Sequence, residues 1–134
     1  MAVYFHGTRS IDYQLILAPV GHDLVLLQDS AKSSEVWGAI ITSLKTLSLG
    51  PGRILTCAWH DSSRPEAELV KDLLGFLKAM ALNQPFVVAN GDAIRAVKAL
   101  DGLEPGYVQA TLLLTQDIAR ATELEDSIRE FLRA

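Results

Sequence analysis

Gln84-Pro85-Phe86-Val87-Val88-Ala89-Asn90-Gly91-Asp92 is the stretch on which the fold turns. Phe86 to Ala89 are apolar at successive positions, so both faces of a strand there would be covered, as in a parallel sheet clothed by helices. Asn90-Gly91-Asp92 then supplies residues that tolerate positive φ and that cap helices. The stretch reads as a buried central strand that stops in a turn and feeds a helix. In an open parallel sheet, ligands and partners meet the carboxyl ends of such strands.

Working outward, the same unit recurs. Downstream, Ala93, Ile94, Ala96, Val97 and Leu100 form a short helix closed by Gly102, Leu103-Glu104-Pro105-Gly106 is a turn, and Tyr107 to Leu114 is the last strand. Thr115 caps a final helix whose inward positions are Ile118, Ala121, Leu124, Ile128 and Phe131 or Leu132. Upstream, Ile54 to Ala58 is a strand, and Ser63-Arg64-Pro65-Glu66 matches the capping box of a helix carrying Leu69, Leu73, Leu77 and Met80 inward, ending near Asn83. Val36, Trp37, Ile40, Ile41, Leu44 and Leu47 give an earlier amphipathic helix stopped by Gly50-Pro51-Gly52, with Trp37 as its anchor on the sheet. Leu24 to Gln28 is the first strand of the main sheet. Gln14 to Leu17 is its edge partner or lead-in across the Pro19-Val20-Gly21-His22 turn, and residues 1–12 are a short strand or partly ordered arm. Strand and helix alternate four times, which predicts a single α/β domain over residues 1–134: three αβα layers around a mainly parallel sheet of four or five strands.

Composition narrows the classes. A chain of 134 residues, 49% apolar and 21% charged, is globular and too apolar for disorder. One cysteine, Cys57, excludes an internal disulfide and any cysteine-based zinc site, and suits a reducing cytoplasm. No signal-peptide pattern and no run long enough to span a membrane is present, so neither export nor membrane association is expected. Twelve Lys and Arg against sixteen Asp and Glu give a formal charge of −4 without a basic run. Direct nucleic-acid binding, which draws its affinity from clustered cations, is therefore not expected, and a protein partner fits better.

If the strands are parallel, the segments that follow them share one rim: Asp29 and Ser30, then His60 and Asp61 after Trp59, then Asn90, Gly91 and Asp92, and finally Thr115-Gln116-Asp117. Carboxylates and an imidazole there would suit acid–base work or a metal. The same residue types are what helix entries require, and each of these residues sits at such an entry, so capping is the favoured reading and no catalytic residue is assigned. His6, His22 and His60 lack the short spacing of a zinc site and are expected at the surface, and no metal is expected. There is no Gly-x-Ser-x-Gly nucleophile elbow, no Gly-x-Gly-x-x-Gly after a strand and no Walker loop, so no cofactor is expected.

Two resemblances add expectations. Tyr4-Phe5-His6-Gly7-Thr8-Arg9 resembles the His-Gly-Thr segment of ADP-ribosyltransferases, which implies an enzyme seating NAD with His6; those enzymes are mainly antiparallel, unlike the remaining chain. From Asp23 to Phe131 the layout resembles the psi subunit of bacterial DNA polymerase III, a relative of the uracil-DNA glycosylase fold. The residues concerned are Leu24-Val25-Leu26-Leu27, the helix ending Ser43-Leu44-Lys45-Thr46-Leu47-Ser48-Leu49, Ile54 to Ala58, Pro85 to Ala93, and Leu112-Leu113-Leu114-Thr115-Gln116-Asp117. Leu27-Gln28-Asp29-Ser30 and Thr115-Gln116-Asp117 stand where glycosylases carry their catalytic motifs, so that activity is not implied. The resemblance implies a non-catalytic interaction subunit of the replication machinery whose partner is a chi-like subunit or the clamp loader. The alternatives are a small-molecule or phosphoryl-binding doubly wound domain using the rim, and the ADP-ribosyltransferase-like enzyme.

Overall fold

The computed structural model describes residues 2–6, 9–28, 34–59, 65–82, 84–90, 93–114 and 121–133. Among them the elements run β1 (Ala2–His6), β2 (Arg9–Ala18), β3 (Asp23–Gln28), α1 (Ser34–Leu44), β4 (Gly52–Trp59), α2 (Glu66–Ala79), β5 (Phe86–Asn90), α3 (Ala93–Leu103), β6 (Ala110–Leu114) and α4 (Ala121–Arg133). The strands form one six-stranded sheet in the order β1-β2-β4-β3-β5-β6. β4, β3, β5 and β6 are parallel, while β1 and β2 run antiparallel at one side. The mainly parallel α/β architecture expected from the alternation is what forms.

Burial explains the layering. Phe86 to Ala89 are all buried, as a strand with helices on both faces requires. Alternate residues divide between two cores. Val87 and Ala89 join Val25, Leu27, Leu55 and Cys57 beneath α2 and α3. Phe86 and Val88 join Leu24, Leu26 and Ile54 beneath α1 and α4. Each such aliphatic side chain contributes about 1.5–3 kcal/mol relative to exposure. Trp37 fixes α1 to the second core at 1% exposure, as its position in the apolar stripe implied. Arg129 of α4 donates to the Ser43 carbonyl oxygen at 3.0 Å and to Thr46 Oγ1 at 3.0 Å, a cation placed at the negative end of the α1 dipole.

Several boundaries differ from the sequence reading. The N-terminal region and the supposed edge partner form a hairpin of five- and ten-residue strands, and β2 is interior, paired to β1 and β4. β2 skips β3 because β4 inserts between them, a long-range choice that local propensity does not encode. α2 begins at Glu66 with Pro65 at its cap, φ −55°, and no side-chain cap bond, so Glu66 is the first helical residue and cannot act as the third-position partner of a capping box; Ser63 lies outside the described residues. The last strand starts at Ala110, since Tyr107 belongs to the preceding turn and donates its hydroxyl to the Leu82 carbonyl at 2.9 Å. Thr115 lies outside the described residues.

The amino-terminal edge of the parallel strands is closed by close contacts. Arg53 Nε and Nη2 donate to the two Asp23 carboxylate oxygens at 3.0 and 2.7 Å, and Nη1 reaches the Met80 carbonyl at 3.3 Å. The hydrogen bonds to Asp23 hold the guanidinium pKa above its usual value, against a smaller opposing effect of burial. Gly52 opens β4 at this edge, and a Cβ there would overlap the His22 carbonyl oxygen and press Val20 Cγ2 at 3.0 Å. Because the His22 obstacle is backbone, Gly52→Ala should cost about 1–3 kcal/mol. Gly38→Ala, in α1 with nothing within 4 Å, should instead gain about 0.5–1 kcal/mol from helix propensity. Urea denaturation of the two variants should therefore move the midpoint in opposite directions.

Candidate functional site

Four parallel strands deliver their last residues, Gln28, Trp59, Asn90 and Leu114, to one edge of the sheet. The register keeps them level: Gln28 is opposite Ala58, Leu27 opposite Ala89, and Asn90 opposite Leu114. Ile11 of β2 pairs with Trp59, so the start of that strand reaches the same edge. The strand ends are thus brought together as the alternation required. Of the rim residues singled out from sequence, Asn90 is described; Asp29, Ser30, His60, Asp61, Gly91, Asp92 and residues 115–117 lie outside the described residues.

Asn90 differs from a surface cap. Its Oδ1 is buried and, among the described residues, has no hydrogen-bond partner. Side chains alternate along a strand, and Phe86 and Val88 face α1 and α4, so position 90 continues that face. On the same face the Nε1 of Trp37, a donor, is also buried without a partner among the described residues. Each unpaired buried polar group costs about 1–3 kcal/mol, which is why native proteins rarely keep one without a use. β5 ends at Asn90 and α3 begins at Ala93, and Ala89 on the strand and Ala93 on the helix are small and fully buried.

The remaining candidates scatter. His22 lies at the opposite edge, half-buried, its ring stacked on Phe86 at 4.0 Å with 12° between planes, and so is not the free surface histidine expected. His6 ends β1 at the hairpin, opposite Arg9. Burial alone pushes the Cys57 thiol pKa far above its usual value, so that sulfur is inert as a nucleophile. Among the described residues no three His, Cys, Asp or Glu side chains are grouped to hold a metal ion, and no helix is long and apolar enough to cross a membrane.

The sequence matches no protein-family model and no curated protein. Solved structures do match in fold. One is 1H-3-hydroxy-4-oxoquinoline 2,4-dioxygenase, 16% identical with a TM-score of 0.67, the match covering 84% of this chain and 45% of that one. A second is an epoxide hydrolase from Vigna radiata, 15% identical, TM-score 0.66, covering 95% and 45%. A third is an alpha/beta hydrolase enzyme from a Medee basin deep-sea metagenome library, 14% identical, TM-score 0.61, covering 84% and 43%. The sheet is that of the α/β-hydrolase fold, and the chain spans less than half the length of these three structures.

The fold corrects the family expectations. The likeness is to hydrolase-fold enzymes, and not to the psi subunit or to uracil-DNA glycosylase. The non-catalytic clamp-loader role and the chi-like partner fall with it. The patterns that suggested them, an apolar strand followed by a polar helix entry, occur in any doubly wound sheet. The ADP-ribosyltransferase reading does not fit either: His6 ends a strand at the side of a mainly parallel sheet, whereas those enzymes are mainly antiparallel; Gly7 and Thr8 lie outside the described residues. In α/β-hydrolases the nucleophile stands on a sharp turn between strand and helix, flanked by small residues two positions either side. In this chain Ala89-x-Gly91-x-Ala93 keeps small residues at that spacing without a serine or glycine flanks, so the Gly-x-Ser-x-Gly pattern passes over it.

Proposed function

We propose that the chain carries the catalytic rim of an α/β-hydrolase-type enzyme acting on a small organic substrate, through proton transfer and without a covalent intermediate on the turn after β5. The rim comprises Asp29, Ser30, His60, Asp61, Asn90, Gly91 and Asp92. The observation that carries this reading is the buried, unpaired Oδ1 of Asn90 at the carboxyl end of β5. It is an acceptor that a substrate O–H or N–H would satisfy.

The chemistry follows from what occupies the turn. With Ala89 and Ala93 as its small flanks, the central position is Gly91, which has no attacking group, and no Ser or Cys occurs between Gln84 and Asp92. A hydrolase triad runs in chain order nucleophile, acid, histidine, yet none of His6, His22 and His60 follows position 91. His60 is therefore the group for removing a substrate proton, with Asp61 adjacent in sequence. The positive end of α3 favours the resulting anion. The quinoline substrate in the name of one structural neighbour is of this class, since it carries both O–H and N–H. A reducing cytoplasm suits the single buried thiol.

The test is turnover of three probes by the purified chain: 1H-3-hydroxy-4-oxoquinoline under air, p-nitrophenyl butyrate, and styrene oxide, each followed by chromatography with intact-mass measurement of the protein. Consumption of the quinoline, the probe that carries O–H and N–H donors, with an unchanged protein mass is expected. A trapped adduct on Asp92, or no turnover of the quinoline whether or not the ester or the epoxide is consumed, would overturn the proposal.

A further inference from the structure

Trp37 is enclosed at 1% exposure, yet its indole Nε1 has no acceptor among the described residues. A buried tryptophan N–H ordinarily finds one. The other orphaned buried side-chain atom among the described residues is Asn90 Oδ1. An unmet donor and an unmet acceptor thus lie on one face of the sheet, and they are not bonded to each other.

Both belong to the same end of that face. β3 and β4 are parallel, so α1, which joins them, runs back from the carboxyl edge of the sheet to the amino edge. Trp37 is the fourth residue of α1 and lies in the turn nearest the carboxyl edge. Long helical side chains lean toward the helix N-terminus, which carries the indole toward the strand ends. Asn90 closes β5, the strand beside β3, and Trp37 shares a core with Phe86 and Val88 of β5. Asn90 as a whole is half-buried, so the donor lies deeper than the acceptor.

We infer that Trp37 is a specificity-determining residue of this rim, its indole N–H donating to a carbonyl oxygen of the substrate while Asn90 Oδ1 accepts the substrate N–H. The inference rests on the catalytic reading above and narrows its substrate class to amides and vinylogous amides. An indole N–H only donates and a carboxamide oxygen only accepts, so the ligand must supply one acceptor and one donor. A carbonyl conjugated with an N–H is the neutral group that supplies both, conjugation strengthening each. Simple esters and epoxides answer Trp37 alone and leave Asn90 unmet.

The chain has two tryptophans, so the isotopically labelled protein gives two indole N–H resonances, and Trp37→Phe assigns them. Titration uses 1H-4-oxoquinoline, which has the carbonyl and the N–H, and 1-methyl-4-oxoquinoline, which keeps only the carbonyl. The first should move the Trp37 resonance downfield to saturation, and should bind Trp37→Phe about tenfold more weakly than the parent. The methylated compound should bind the parent about tenfold more weakly than the first. An unmoved Trp37 resonance, or equal affinity of parent and Trp37→Phe, would overturn the inference; turnover of the hydroxylated quinoline in that case leaves the proton-transfer reading standing. A moved resonance without turnover keeps the recognition pair and removes the chemistry.

Discussion

Phe76→Ala should lower stability by about 3–5 kcal/mol, a large share of the roughly 5–15 kcal/mol that holds a domain of this kind together. The Phe76 side chain is fully buried in α2, with the Tyr4 ring edge-on at 5.6 Å and 65° and the Tyr13 ring at 5.2 Å and 61°. Tyr4 belongs to β1 and Tyr13 to β2, so one phenyl ring clamps both antiparallel strands to the helix. Each aromatic pair adds about 0.5–1.5 kcal/mol beyond area burial. The truncation therefore combines a cavity with two lost ring contacts, whereas Phe76→Leu keeps most of the volume and should cost clearly less. Hydrogen exchange locates the effect: β1 and β2 amides should lose protection before those of β5. Uniform loss across the sheet would show that the hairpin is not held in this way.

The second large effect concerns the rim. If His60 takes the substrate proton, His60→Ala should reduce turnover by about 10²–10⁴-fold while leaving the urea midpoint near that of the parent. Asn90→Leu should behave differently, losing turnover while folding at least as stably, because it deletes a buried acceptor that costs about 1–3 kcal/mol when unpaired. Kinetics and denaturation of the two variants separate the roles. A His60→Ala chain that turns over at the parental rate removes His60 from the mechanism. An Asn90→Leu chain that is markedly less stable than the parent makes Asn90 a structural cap.

Local pattern carried the part of the fold that local pattern determines. Phe86 to Ala89 read as a doubly covered strand because every side chain there is apolar, and all four are buried. Trp37, Ile40 and Leu44 recur at helical spacing and line the face of α1 that packs on the sheet. β1 was obscure for a physical reason: its alternation sets Tyr4 against α2 but leaves Val3 and Phe5, 44% and 68% exposed, on the open face, so no apolar–polar period marks it. The insertion of β4 between β2 and β3 depends on pairings far apart in sequence. Asn90 looked like one more helix-entry residue, and only three-dimensional burial separates it from a cap, since its oxygen is enclosed without a donor among the described residues.

The central claim is that the carboxyl edge of the parallel strands binds the substrate. Titrating the isotopically labelled chain with 1H-3-hydroxy-4-oxoquinoline, or with whichever probe is turned over, while following backbone amide shifts tests it most directly. The largest changes are expected at Gln28, Trp59, Asn90, Ala93 and Leu114, with Asp23, Arg53 and Phe86 at the far edge unmoved. Changes concentrated at that far edge or along β1, or no change at saturating ligand, would contradict it.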